Sequence, residues 1–224
     1  MIVKFVDRRH AGRLLAAKLL AYRRQPQVVV LALPRGGVPV GVEVASVLGA
    51  PLDVLIVRKL GVPGQPEYAF GAIASGGVKV MNPEAEYLQL DARDVDAVVA
   101  REQQELLRRE RLYRGSKPPL ELRDKTVILV DDGLATGSTM RAAVRAVRQQ
   151  GAERVVVAVP VAAPDTVLSM SAEVDDMVCV TMPSPFHAVG LWYQQFDQVS
   201  DDEVRVALAA HDKRVLPEPE PGSV

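Results

Sequence analysis

A single cysteine, one tryptophan, five tyrosines, four phenylalanines and almost no net charge set the first limits on this 224-residue sequence. Cys179 has no partner for an intrachain disulfide and no companions for a thiolate metal cluster. Its neighbours Met177, Val178 and Val180 mark it as a structural thiol. Lys and Arg total 27 against 28 Asp and Glu, so the basic surplus that non-specific phosphate-backbone binding requires is missing, and a nucleic-acid reader is not expected. No apolar run approaches the ~20 residues a membrane-spanning helix needs; the stretch from Val155 to Ala163 is among the longest. The first ten residues lack the apolar core and cleavage site of a signal peptide, which makes the cytoplasm the expected location. There is no internal repeat and no sustained heptad. What is present, 48% hydrophobic and 25% charged residues with 16 Gly and 16 Pro, is the composition of a globular enzyme with length enough for a sizeable core.

The chain alternates between strand-like and helix-like patterns. Asp7 precedes apolar residues at helical spacing (Ala11, Leu14, Leu15, Leu19) and is the expected N-cap of a first helix. Residues 27–33 form a continuous β-branched run ended by Pro34 and Gly36-Gly37, the mark of a strand buried on both faces. A helix over 38–48 and a strand over 53–57 complete one βαβ unit. Two glycines and two prolines predict an irregular loop from Leu60 to Tyr68, followed by a hairpin over 70–81 turning at Gly76-Gly77 and a long charged helix over 84–114. The alternation resumes with strands at 126–130, 154–161 and 176–181 and helices at 138–150, 164–170 and 201–211, the last capped by Ser200 or Asp201. The expectation is an α/β fold with a doubly wound, mainly parallel sheet flanked by helices. The Pro-Glu-rich residues 214–224 read as a disordered tail or linker.

The chemistry concentrates between Val127 and Thr139, where a buried strand ends in Asp131-Asp132 and a small-residue loop leads into a helix. Backbone N–H groups from Ala135 to Thr139, the hydroxyls of Ser138 and Thr139 and the helix dipole suit one phosphate. Two adjacent carboxylates do not suit a phosphate, but they can accept hydrogen bonds from a vicinal diol, so the implied ligand is a ribose 5-phosphate. Gly133 and Gly137 are spaced one residue too closely for a P-loop, and Ser138 stands where its lysine belongs. The G-x-G-x-x-G dinucleotide spacing is not met either.

The run from Val127 to Thr139 resembles the phosphoribosyl-diphosphate (PRPP) motif of the type I phosphoribosyltransferases. That resemblance, which covers roughly residues 27–165 as a core, implies that Asp131 and Asp132 hold the ribose hydroxyls and that Ala135, Thr136, Gly137, Ser138 and Thr139 hold the 5-phosphate. Arg35, Gly36 and Gly37 resemble the family's diphosphate loop, with Arg35 as the clamp and one glycine in an unusual backbone conformation. Arg58 and Lys59 resemble a basic pair that family members place on diphosphate, in some cases across a dimer interface. The segment from Gly61 to Tyr68 corresponds to the mobile loop, with Glu67 as its candidate acid or base. A hood is expected from the N-terminal helix and residues 182–200, where Phe186, Trp192 or Tyr193 would stack on a planar base. Within 1–213 the resemblance implies one phosphoribosyltransferase-like domain, working as a homodimer with Mg²⁺ carried by PRPP and water rather than by side chains. Ala135 stands where enzymes acting on 6-oxopurines carry an aspartate, which lowers hypoxanthine and guanine as acceptors. The expected reaction is phosphoribosyl transfer to a nitrogenous acceptor with release of diphosphate; a PRPP-sensing protein without turnover, or one module of a larger enzyme, is the alternative.

Overall fold

A computed structural model describes residues 4–82 and 90–215, the side chains of Pro66, Glu67, Arg214 and Val215 excepted. In chain order the elements are α1 (Arg8–Lys18), β1 (Val28–Ala32), α2 (Gly37–Leu48), β2 (Leu52–Val54), β3 (Val57–Val62), β4 (Gln65–Ala74), β5 (Val78–Met81), α3 (Ala92–Arg114), β6 (Thr126–Val130), α4 (Ser138–Gln149), β7 (Arg154–Val161), α5 (Pro164–Ser171), β8 (Asp176–Thr181) and α6 (Asp201–Val215).

Five strands form a wholly parallel sheet in the order β2-β1-β6-β7-β8. The strands are β-branched because both faces are covered. Val28, Val30, Ala32, Ile128, Val130, Val156 and Ala158 face a core shared with α1, α2 and α6, while Leu31, Val127, Leu129, Val155, Val157 and Val159 face a second core under α4 and α5. That alternation is the two-residue period of a strand read on both sides. From β1 the chain proceeds outward to β2, and from β6 it proceeds the other way to β7 and β8, so the strand order reverses between β1 and β6. In doubly wound sheets such a switch point is where the loops diverge and leave a crevice at the carboxyl ends of the strands. The register Ala32↔Val130 sets the loops after β1 and β6 side by side.

The helix ends follow their sequence signals. Asp7 accepts from His10 N at 2.7 Å at the start of α1, and Gly49 closes α2 at φ +65°. Ser200 and Glu203 cap α6 reciprocally: Glu203 N donates to Ser200 Oγ and Ser200 N to Glu203 Oε2.

Two expectations are corrected. The segment from Leu60 to Tyr68 is not an irregular loop: β3 and β4 pair antiparallel, turn at Pro63-Gly64, and with β5 make a separate three-stranded sheet. Gly61 falls where the register shifts, between Leu60 and Val62, Pro63 and Gly64 make the turn and Pro66 follows it, so residues that read as breakers serve as a bulge and a corner. The strand expected at 53–57 is likewise divided, with Val54 ending β2 and Val57 opening β3. The hairpin at Gly76-Gly77 is present, both glycines having positive φ. Helix α3 begins at Ala92, and the earlier start expected at 84 lies outside the described residues; so does the expected tail beyond 215, although α6 itself runs to Val215. Among the described residues no helix is long and apolar enough to cross a membrane.

Candidate active site

The loop after β6 is pinned at both ends. Leu134 is buried and pairs with the end of β7, its N–H donating to Val161 O at 2.9 Å while Ala163 N donates to Leu134 O at 3.0 Å. Beyond it, protein donors take the carbonyls: Thr166 Oγ1 donates to Ala135 O at 2.5 Å and Arg141 Nη1 to Thr136 O at 2.8 Å. In a trans peptide the next N–H points the opposite way, so the amides of Thr136 and Gly137 point away from Thr166 and Arg141. Gly137 is the residue before α4, at φ +73°, and offers the helix start no side-chain cap. The first-turn N–H groups are therefore open to an anion. A Cβ on Gly137 would lie 2.9 Å from Thr166 Cγ2. Gly137→Ala is expected to cost about 1–3 kcal/mol through the positive φ and that contact. Denaturant unfolding checks it; a midpoint equal to wild type would contradict it.

At the strand end, Asp132 N donates to Asp131 Oδ1 at 2.8 Å. The carboxylate of Asp132 accepts from Arg8 Nε at 2.8 Å, with the arginine and aspartate side chains only 12% and 15% exposed. Arg8 is itself fixed on three sides, since its Nη1 donates to Asp197 O at 2.8 Å and its guanidinium lies 3.9 Å over the Phe196 ring. Burial pushes the pKa of both carboxyl groups up, and the charge of Asp132 pushes Asp131 higher still, while Arg8 opposes the shift. Tyr193 donates its hydroxyl to Asp132 O at 2.5 Å and so supports the same turn.

The loop from Pro34 to Gly37 abuts these acids. Leu33 N donates to Val130 O at 2.8 Å, joining the two strand ends. A Cβ on Gly36 would overlap the Asp132 carboxylate, and one on Gly37 would lie 2.6 Å from Val130 O. Both glycines serve close approach, and Gly36 has ordinary helical angles, which corrects the expectation of an unusual glycine conformation; the unusual bond is the cis peptide between Pro34 and Arg35. Arg35 Nη1 lies 3.7 Å from Asp201 Oδ1 in the first turn of α6, and Tyr113 donates to the same oxygen at 2.6 Å. Burial and that hydrogen bond raise the Tyr113 pKa to about 12, so the phenol remains a donor at neutral pH.

The structure thus brings together Asp131, Asp132, Gly36, Gly37 and the loop from Ala135 to Thr139, and links Arg35 to the site's edge. Other expected residues fall differently. Arg58 donates from Nε and Nη2 to Glu102 Oε2 at 2.9 and 2.6 Å, and Glu102 is only 8% exposed, so Arg58 ties β3 to α3 rather than standing as a free cation. Lys59 is exposed and pairs with no carboxylate among the described residues. Tyr193 is 3% exposed, with ring contacts to Phe5 and Phe196, and presents no face to a base. Phe186 and Trp192 are half-buried and pack in the same cluster, with Trp192 Nε1 buried and unpartnered among the described residues. The Glu67 side chain lies outside the described residues. Arg8, Thr166, Arg141 and Asp201 are site-supporting residues with no local sequence signal, since each acts on a residue far away in the chain or through a backbone carbonyl.

A model of the phosphoribosyl transferase domain matches residues 7–195. The chain belongs to that family. Among solved structures, TT1426 of Thermus thermophilus is similar in both shape and sequence, with a TM-score of 0.83 and 44% identity over 93% of this chain and 99% of that one. A Mycobacterium tuberculosis H37Rv protein, Rv0571c, whose name provisionally makes it a phosphoribosyl transferase, is 49% identical over 201 residues. Those residues are 89% of this phosphoribosyltransferase-family chain but 45% of the mycobacterial protein, so the chain spans under half the length of the curated relative it matches.

Proposed function

We propose that the chain transfers a 5-phosphoribosyl group from PRPP to a nitrogenous acceptor with release of diphosphate. The observation that carries this reading is the meeting of Asp131-Asp132 with Gly36-Gly37 at the switch point, one loop away from the open amides of 135–139. In the reaction the bond from the ribose C1 to the diphosphate oxygen breaks with its electron pair leaving on diphosphate, the bond from C1 to the acceptor nitrogen forms, and that nitrogen's proton passes to water. Asp131 and Asp132 accept hydrogen bonds from the ribose 2- and 3-hydroxyls and hold the ring while C1 gains positive character. The loop from Ala135 to Thr139 anchors the 5-phosphate, and Arg35, oriented by Asp201, balances charge on the leaving diphosphate.

Mg²⁺ fits this site as an ion carried by the substrate. Such a hard cation takes oxygen ligands and keeps several waters, so the oxygens of PRPP and water would hold it, with the Asp131 and Asp132 carboxylates adding negative charge beside the diphosphate loop. When bound, it neutralises the leaving group. An acceptor base would lie toward the half-buried Phe186 and Trp192, beside the contact of Val189 with Gly133, where a Cβ would lie 2.5 Å from Val189 Cγ1.

Diphosphate release from PRPP and Mg²⁺ across a panel of purine, pyrimidine and other nitrogenous acceptors tests the reading. Release with at least one acceptor, lost in the Asp131→Asn/Asp132→Asn double variant, is expected. PRPP binding without release for any acceptor would assign the chain to PRPP-sensing proteins instead.

A further inference from the structure

We propose that the cleft between α4 and the three-stranded sheet is a second anion site that takes a diphosphate group. The cleft measures about 270 Å³ and is lined by Lys59, Asn82, Ser138, Arg141 and Arg145, with no carboxylate among the described residues of its lining. Its floor is kept open by small residues such as Gly71, where a Cβ would lie 2.6 Å from Val80 O. Three cations therefore line a concave space with no acidic side chain among the described residues of its lining.

The partners of each cation show which charges are available. Arg141 is balanced by Glu173 at 2.8 Å and also donates to Ser169 and Thr136 O, so it frames one wall. Arg145 reaches only Asn82 Oδ1 among the described residues, at 3.4 Å, and Lys59 has no ion pair among them. Two positive charges that no carboxylate among the described residues compensates repel each other across one cleft, and a multiply charged anion between them removes that repulsion and gains attraction from both. The Ser138 hydroxyl adds a donor at one end. The space exceeds what a single phosphate needs, which favours a diphosphate group, either free or at the end of a nucleotide.

The cleft is distinct from the 5-phosphate grip. Arg141 and Arg145 follow Ser138 by three and seven residues and share its helix face, so Arg145 lies two turns, about 10 Å, down the helix from the loop. Of the loop residues 135–139, only Ser138 lines the cleft. Occupation would join β3, through Lys59, to the helix whose first turn is the phosphate loop. The proposal does not rest on the transfer reaction.

Calorimetric titration with inorganic diphosphate, in wild type and in Arg145→Gln, Arg145→Lys and Arg35→Ala, tests it. Wild type should bind two diphosphates per chain. Arg145→Gln should weaken one of them by at least about tenfold, Arg145→Lys should retain it, and Arg35→Ala should lose only the other. ADP displacing diphosphate from the Arg145-dependent site would identify a nucleotide as the source, and displacement failing would identify free diphosphate. An isotherm unchanged by Arg145→Gln, or sulfate binding there as tightly as diphosphate, would overturn the proposal. Absence of the Arg35-dependent site alone in wild type would count against the transfer reaction and leave the cleft standing.

Discussion

Asp131→Asn should raise the melting temperature of the unliganded protein while lowering phosphoribosyl transfer by two orders of magnitude or more. The two effects have one cause. Burial and the neighbouring Asp132 charge raise the Asp131 pKa, so its ionised form is disfavoured in the folded state. A carboxyl group whose folded pKa is raised contributes stability at acid pH, below its unfolded pKa of about 3.9, and that contribution is lost as pH rises through the folded value. Ionising the pair is therefore a net cost to the folded state. Asparagine keeps an oxygen to accept from Asp132 N, now at 2.8 Å from Asp131 Oδ1, and removes the charge. The Tm should rise by roughly 2–4 °C for each kcal/mol relieved in a chain of this size. The fall in wild-type stability between acid and neutral pH should flatten in the variant. The neutral amide is also a weaker acceptor for a ribose hydroxyl beside a centre gaining positive charge, which lowers turnover. A lower Tm, or undiminished transfer, would count against this account of the acids.

Arg8→Ala should be among the most destabilising single changes in the molecule, by about 3–5 kcal/mol, because it leaves a buried carboxylate unpaired. The side chain is nearly enclosed, donates to Asp132 and to Asp197 O, and covers the Phe196 ring. It also holds Asp132 toward its ionised form, so PRPP affinity should fall with stability. A double-mutant cycle separates packing from charge. In an Asp132→Asn background the same Arg8→Ala change should cost about 1–3 kcal/mol less, the coupling expected of groups in direct contact. Strictly additive denaturation free energies would mean that Arg8 matters only for its contacts with residues 196 and 197.

Where burial alone dictated the pattern, the sequence was readable to the residue. Strands at 126–130 and 154–161 lie where their β-branched runs begin and end, because strands covered on both faces admit little else. The acids and the loop after β6 were legible for a related reason: their chemistry is local, carried by consecutive residues on one turn. The β3–β4 hairpin was hidden because Gly61, Pro63, Gly64 and Pro66 break any alternation, and only pairing across the sheet shows that they sit at a bulge and a turn. Arg8 was hidden by distance, 124 residues from Asp132. Tyr193 and Arg58 carried the right chemistry for a base and a diphosphate, but tertiary partners, the Asp132 carbonyl and Glu102, had already claimed them.

Isothermal titration of PRPP with and without Mg²⁺, in wild type and in the Asp131→Asn/Asp132→Asn double variant, is the measurement closest to the central claim that the loops after β1 and β6 form a PRPP site. The account predicts Mg²⁺-dependent binding of one PRPP per chain that the double variant weakens by at least about a hundredfold, the loss expected when charge-assisted hydrogen bonds to both ribose hydroxyls are removed. No binding to wild type, or equal binding by the variant, would contradict it.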